Sequence, residues 1–349
     1  MTHVALLSLE PWDEVWRRNQ HLASRLVDRG SASSLTFVTP PTGGLATQAA
    51  RWSPHPGITV VTPPLVVPRR FGGHRVLGEW LRYELRGADV IWVNDPVAGA
   101  SVINRTKPMA YDVTDDWRSM PQPEADRLRI IRAEDRLAAV AHTVVCSSVL
   151  HERWLHRYRI DATVIPNGVD VRAIRAAAPH ALTGPGPHAV YVGTLHENRI
   201  DLDLVRDLIT EWPGTVHLVG PWHLPVSVST QWRALGADIV GPVASADVPA
   251  WLNAADVLIC PHRVDDFTLS LDAIKAHEYL ATDRPVVATP SCGFQLLSGA
   301  GLSVVGAEGF LSACQDALAG PAISRTVAVD WDERTSAFAA ALGLGQALA

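Results

Sequence analysis

The sequence predicts an α/β protein built from two doubly wound parallel sheets, each in its own domain, and three observations carry that expectation. Short apolar runs rich in β-branched residues alternate with amphipathic stretches of helical period along nearly the whole chain. These runs are apolar throughout, as strands covered on both faces require, rather than apolar on alternate residues. The pattern also halts at APHALTGPGPH (178–188), a Pro- and Gly-rich stretch without periodicity that reads as a linker, and then restarts. With 349 residues, 47% of them hydrophobic, the chain is large enough for two cores. Its composition argues against disorder, collagen and coiled coil.

VALLSL (4–9) reads as a buried strand, followed by a helix from about Val15 to Arg29. Further strands follow at SLTFVTP (34–40), ITVVTP (58–63), ADVIWVN (88–94), KPMAYDV (107–113), HTVVCSS (142–148) and ATVIPNG (162–168), with helical patterns notably at 73–86 and 122–140. The second series runs HAVYVGT (188–194), a helix from Asp201, TVHLVGP (215–221), a helix near 227–235, ADIVGPV (237–243) and a helix at 246–254. ADVLICP (255–261), a helix from about Leu269 to Ala281, PVVATP (285–290) and LSVVG (302–306) complete it. The expected division is 1–172, 173–325, and a C-terminal helical tail, 326–349, that packs back on the first domain. No repeat of 20–50 residues relates the halves, so they share architecture only.

Net charge is -6, which disfavours a general nucleic-acid binder. Residues 1–170 carry 20 basic and 18 acidic side chains, whereas 171–349 carry 10 and 18. The first half is therefore better suited to an anionic or membrane-surface partner. Arginine-rich stretches at 69–86 and 127–136 read equally well as contacts to a membrane-surface lipid or as solvated helix faces. No apolar run spans a bilayer, and the N-terminus makes a poor signal peptide, so a cytoplasmic protein is expected. The four cysteines (Cys146, Cys260, Cys292, Cys314) form no C-x-x-C pair and read as reduced structural thiols. Only two lysines occur, Lys107 and Lys275.

Two doubly wound domains are expected to face one cleft with their carboxyl strand ends, so chemistry belongs in the loops after strands. In YVGTLHENRID (191–201), Gly193 permits close backbone approach. A helix start after it offers free N–H groups, and His196 or Arg199 adds charge for a diphosphate; an ordinary strand-to-helix turn has the same look. A helix across 270–281 puts Lys275 and Glu278 on one face. A cation there stabilises phosphate charge and a carboxylate accepts both hydroxyls of a ribose, although spacing alone favours an exposed salt bridge. In AYDVTDDW (110–117), Asp115 and Asp116 are adjacent carboxylates, one of which repulsion makes a better base; a helix N-cap is the plain alternative. His262 and Arg263 in CPHRVDDF either line a donor pocket or sit in a solvated loop. No H-E-x-x-H occurs, so no tightly bound metal is expected. No G-x-G-x-x-G occurs either, in NDPVAGASVI (94–103) or elsewhere, which argues against a nicotinamide dehydrogenase.

ADVLICPHRVDDFTLSLDAIKAHEYLATDRPVVAT resembles the nucleotide-sugar-binding signature of GT-B glycosyltransferases, in which an apolar strand ending in Pro leads to K-x-x-E-Y-L-A and then P-V-V. The likeness is to family 4-like bacterial enzymes, including those related to teichuronic-acid and xanthan-type glucuronosyl transferases. It extends to IPNGVD (165–170), YVGTLHENRIDLDL (191–204) and WRRNQHLASRL (16–26). The resemblance implies a GT-B fold with Lys275 on the diphosphate, Glu278 on the ribose, Gly193 and Thr194 in the turn beside the phosphates, and Arg199 as a second cation. It further implies a general-base role for Asp115 or Asp116 in an inverting enzyme. It places the acceptor by LEPWDEVWRRNQH (9–21), where Asp13, Arg17, Arg18, Asn19 and His21 are candidate contacts, helix-start charge being the better reading of any one. The chain departs from the family pattern at Ser270, where many members carry a Glu, at Ala273-Ile274 in place of the Pro before the lysine, and at Asp283 in place of Gly. The missing Glu shifts the expectation from a retaining mechanism toward the glucuronosyl-like branch.

The expected function is metal-independent transfer of a sugar from a nucleotide diphosphate donor, a UDP-sugar first, to an acceptor hydroxyl. The nucleotide sugar acts as co-substrate, with no separate cofactor. Small molecules, glycolipids and polysaccharide precursors are the acceptor classes. A nucleotide-sugar 2-epimerase and an inactive sugar-nucleotide-binding protein are the alternatives.

Overall fold

The computed structural model describes residues 2–41, 48–64, 73–104, 106–297, 299–325 and 329–344, which fall into two compact units. The first unit comprises Met1–Pro166 and Trp331–Ala349. Its chain runs β1 (His3–Leu7), α1 (Arg18–Asp28), β2 (Ser34–Val38), β3 (Ala50–His55), β4 (Ile58–Thr62), α2 (Gly73–Glu84), β5 (Val90–Val93) and α3 (Pro96–Ser101). It continues with β6 (Met109–Val113), α4 (Glu124–Ala138), β7 (His142–Val145), α5 (Ser148–Tyr158) and β8 (Thr163–Val164). The strands form one sheet in the order β3-β4-β2-β1-β5-β6-β7-β8, parallel except for β3, which runs antiparallel to β4. β3 has no apolar run to betray it in the sequence: ARWSPH is exposed along five of its six residues, and Pro54 is tolerated because the strand is an edge.

The second unit spans Asn167–Asp330. It contains α6 (Val171–Ala176), β9 (His188–Val192), α7 (Leu202–Glu211), β10 (Thr215–Val219), α8 (Val226–Ala234), β11 (Asp238–Gly241), α9 (Val248–Ala254) and β12 (Val257–Cys260). Then come α10 (Ile274–Ala281), β13 (Val286–Ala288), α11 (Cys292–Gln295), β14 (Leu302–Val304) and α12 (Ala307–Ala319). Its sheet is wholly parallel, in the order β11-β10-β9-β12-β13-β14. The continuous apolar strands serve both faces. Ala189, Tyr191, Val257 and Ile259 join one core, while Val190, Val192, Leu258 and Cys260 join the other. The 178–188 stretch is held within this unit, because His180 N–H donates to the Ala250 carbonyl and Thr215 Oγ1 to the Pro185 carbonyl. The division between units falls instead at Pro166/Asn167.

α13 (Trp331–Ala341) belongs to the first unit and packs on α1: Trp331 stacks on His21 at 4.7 Å, and Phe338 lies 4.7 Å from Trp92. No helix among the described residues is long and apolar enough to cross a membrane. Of the two arginine-rich stretches, 69–72 lies outside the described residues. In the other, Arg127 and Arg129 pair with Glu124 and Asp126 on the exposed face of α4. Cys146, Cys260 and Cys314 are buried and form no disulfide among the described residues, and burial pushes the Cys260 and Cys314 thiols up to about 12.

Candidate functional site

In the second unit the strand order reverses between β9 and β12, with β10 and β11 on one side and β13 and β14 on the other. A doubly wound sheet opens a crevice at the carboxyl ends of such a strand pair. Gly193 and Thr194 follow β9 there, and His262 follows β12. Tyr191, fully buried in β9, donates its hydroxyl to the Thr194 carbonyl at 3.0 Å. The same oxygen accepts from Lys275 Nζ at 2.7 Å, and the ammonium sits 4.4 Å from the Tyr191 ring centroid.

The second partner of Lys275 is His262 Nε2, at 3.3 Å. An ammonium only donates, so this nitrogen accepts and the imidazole is neutral with its proton on Nδ1. Burial, with Lys275 and Arg199 nearby, accordingly pushes His262 well below the ordinary histidine value. His262 is 2% exposed and not part of a solvated loop, and its Nδ1 is buried without a hydrogen-bond partner among the described residues. The two partners of Lys275 are thus both neutral groups, and no carboxylate forms an ion pair with it among the described residues. It also stands in the first turn of α10, where the helix dipole disfavours a cation. Its placement runs against helix stability.

The lysine reaches this point only because residue 193 is glycine. Gly193 has φ +146, and a Cβ on it would lie 2.7 Å from Lys275 Nζ and 2.8 Å from Cε. Gly220 (φ +137) is required in turn, since a Cβ there would overlap the Gly193 carbonyl. The helix expected from Asp201 is α7, which begins at Leu202, and the Asp201 carboxylate caps it by accepting from the Leu204 N–H. The intervening loop carries Arg199, whose carbonyl accepts from Arg263 N–H at 2.7 Å, while Ile200 bridges to His262. Arg199 is thereby tied to the same loop as His262.

The expected helix over 269–281 is broken. Thr268–Ser270 forms one 3-10 turn, Leu271 and Ala273 are extended, and α10 starts at Ile274. Asp272 causes the break by binding elsewhere. Its carboxylate accepts from the Asn167 N–H and lies 2.9 Å from His277 Nε2, while its carbonyl accepts from Asn167 Nδ2. The IPNGVD segment and the lysine helix are joined through this one residue, a link that sequence spacing could not reveal. Glu278 stands one turn after Lys275, partly buried, with no hydrogen bond or ion pair to another described residue. Desolvation raises its carboxyl to about 7, against the opposing pull of Lys275 and His277. Ser270, at the place of the missing Glu, is fully buried and turns its hydroxyl onto the Phe267 carbonyl at 2.7 Å. Asp283, in place of the usual Gly, accepts from the Arg325 N–H at 3.1 Å.

In the first unit the strand order reverses between β1 and β5. Asn94, just after β5, accepts at Oδ1 from Leu9 N–H and Asn19 Nδ2, and its amide donates to the Asp112 carbonyl. Arg18 lies beneath, clamped on Asp112 through three hydrogen bonds of 3.0–3.2 Å with both side chains at most 5% exposed. Asp13 and Arg17 pair with each other on the partly exposed helix start. His21 is packed between Trp16 and Trp331, and desolvation pushes it down to about 3. These residues of the 9–21 stretch serve structure first.

Asp115 and Asp116 part company as well. Asp116 is 4% exposed and accepts from Arg153 at 2.8 Å and Ser119 at 3.0 Å, with Arg157 at 3.8 Å. Asp115 stays partly exposed and accepts from Thr114 Oγ1 at 3.4 Å. Among the described residues no three His, Cys, Asp or Glu side chains are grouped so as to hold a metal ion.

Two family models match the chain: Glycosyltransferase Family 4 over residues 15–173 and Glycosyl transferases group 1 over 186–320. A curated relative, TuaH of Bacillus subtilis (strain 168), whose name assigns it to teichuronic acid biosynthesis as a glycosyltransferase, is 26% identical over 196 residues. That match covers 51% of this chain and 49% of TuaH, so the chain spans about half the length of the curated relative it matches. Solved structures are similar over nearly the whole length. Sucrose-phosphate synthase from Thermosynechococcus elongatus superposes with a TM-score of 0.74 at 20% identity, covering 99% of this chain and 98% of that one. The E. coli trehalose-6-phosphate protein bound with UDP-2-fluoro glucose gives 0.65 at 12% identity, over 99% and 100%. Anabaena HepE in complex with UDP gives 0.59 at 14%, over 99% and 98%. With glycosyltransferase models matching both of its halves in order, and a two-sheet architecture shared end to end with these structures, the chain belongs to the family 4 glycosyltransferases of the GT-B fold.

Proposed function

We propose that this chain transfers a sugar, of the hexose class, from a nucleotide diphosphate donor to an acceptor hydroxyl, with uridine as the nucleotide. The carrying observation is Lys275, a cation suspended at the strand-order reversal by neutral partners, with one ammonium N–H left for a ligand. The presence of UDP in HepE and of UDP-2-fluoro glucose in the E. coli protein supports the choice of nucleotide.

In this reading the bond between the anomeric carbon and the diphosphate breaks, and negative charge grows on the leaving phosphate. Lys275 stabilises that charge in a partly enclosed site, where it is worth more than in water. Gly193 and Thr194 let the backbone approach the phosphates, Arg199 adds a second positive charge, and His262 holds Lys275 in place. Glu278 accepts the two ribose hydroxyls. The cationic stabilisation comes from the protein's own side chains, so the reaction proceeds without a divalent ion. The acceptor is held by the first unit, where Asp115, the partly exposed carboxylate of its pair, takes the proton from the attacking hydroxyl. Its class is a small molecule, a glycolipid or a polysaccharide precursor.

The test is incubation with a panel of nucleotide sugars, with and without acceptors, followed by NMR of the anomeric proton. Release or transfer of the sugar with a free nucleoside diphosphate supports the proposal, and a β product from an α donor supports the Asp115 role. Interconversion of the sugar nucleotide alone identifies an epimerase. Tight UDP binding with no turnover identifies a binding protein.

A further inference from the structure

The second unit holds a cavity of about 730 Å³ at the amino ends of β12 and β13, the opposite end of the sheet from Gly193 and His262, which follow the carboxyl ends of β9 and β12. Its size lies in the range of small-molecule pockets. Three arginines line it, Arg175, Arg284 and Arg325, together with two carboxylates, Asp256 and Asp283. None of the three guanidinium groups forms an ion pair among the described residues, whereas exposed arginines elsewhere, such as Arg127 and Arg206, do.

Arg325 is the decisive member, because it is only 5% exposed. Nε donates to the Ala300 carbonyl, and Nη1 to the Thr282 and Arg284 carbonyls, all at 2.8 Å. Nη2 is buried with no partner among the described residues. Carbonyls after α10 and before β14 explain the other nitrogens but not this one, and they neutralise no charge. Burial accordingly pulls Arg325 below the ordinary arginine value, with only Asp283 opposing. The two carboxylates are already engaged: Asp256 accepts from the His188 N–H at 2.7 Å and Asp283 from the Arg325 N–H at 3.1 Å. The wall presents a buried, incompletely bonded cation with two further cations beside it. A buried charge left without a counter-charge is costly, and an anion relieves that cost.

We infer that this cavity is a second ligand site, distinct from the donor site, and that it takes a small phosphate-bearing anion on Arg175, Arg284 and Arg325. Guanidinium forks match phosphate oxygens in geometry as well as charge. The occupant is either free phosphate or the phosphate group of a small ester.

The experiment measures thermal unfolding of the full chain with inorganic phosphate or glycerol 3-phosphate at about 10 mM, against sodium chloride of equal ionic strength. It is run on the parent, on Lys275→Ala to silence the donor site, and on Arg175→Ala/Arg284→Ala, whose side chains are exposed enough to be removed without opening the core. A ligand held at millimolar affinity raises Tm by about 2 °C. The expected result is that this rise persists in Lys275→Ala and vanishes in the double variant. A response to both probes identifies phosphate as the recognised group, and a response to the ester alone shows that the remaining volume is filled by carbon. The inference is overturned by no rise with either probe, by a rise that requires Lys275, or by one that survives loss of Arg175 and Arg284.

Discussion

Lys275 reaches over Gly193 to bond Tyr191 at 2.7 Å, so that a strand residue, a turn glycine and a helix lysine form one unit. Removing the ammonium as Lys275→Ala is expected to lower kcat/KM by about 10²–10³ while leaving stability nearly unchanged, since the residue opposes the α10 dipole and bears no structural ion pair. Gly193→Ala should reproduce the loss by displacing the lysine, because its Cβ occupies the ammonium's place. Steady-state kinetics beside thermal unfolding check both. Equal falls in stability and activity would contradict a direct role for Lys275.

Glu278 makes the donor affinity depend on pH. Its carboxyl is raised to about 7, so it is protonated below that value and ionised above it. The ionised form accepts two ribose hydroxyls, so KM for the donor should rise as pH falls from about 8 to 6, with kcat at saturating donor less affected. Glu278→Gln should give a raised KM that no longer changes over this window. A pH series of donor saturation curves decides it.

Asp115 and Asp116 should separate by phenotype. Asp115→Asn is expected to abolish transfer while UDP binding, followed by calorimetry, remains within about twofold. Asp116→Asn breaks a buried contact with Arg153 and should lower the stability of the first unit by about 1–3 kcal/mol. If Asp116→Asn is the variant that loses transfer with its stability intact, the base assignment is reversed.

Arg18 and Asp112 are a buried pair with an unpaired charge left behind by either single truncation. Arg18→Ala or Asp112→Ala should each cost about 3–5 kcal/mol in urea unfolding of the first unit. The double change to Arg18→Met/Asp112→Leu should recover most of that loss, because it removes both charges and keeps the volume. Failure of the double variant to recover would show that the bond from Arg18 to the Pro166 carbonyl is the larger contribution.

Much of this molecule follows from local pattern. Runs such as VALLSL and ADVLICP are apolar on both faces, and that alone demands a sheet covered on both sides, hence helices between strands and parallel pairing. Lys275 and Glu278 stood out because a lysine is rare in this chain and because K-x-x-E-Y-L-A is a family signature. His262 was legible only as one loop residue among several. Nothing local announced Tyr191 as its neighbour on the ammonium, the partnership of Asp272 with Asn167, or the burial of Arg325. Such contacts join residues many tens of positions apart, and sequence periodicity carries information only about neighbours within a few turns or strand steps. The sequence by itself thus determined the two-sheet architecture, the strand-end loops and the family. Which carboxylate of 115–116 is buried against arginines, where the lysine helix begins and which cations lack a carboxylate partner among the described residues were decided by the tertiary structure, because burial and hydrogen-bond partners exist only once distant segments are packed together.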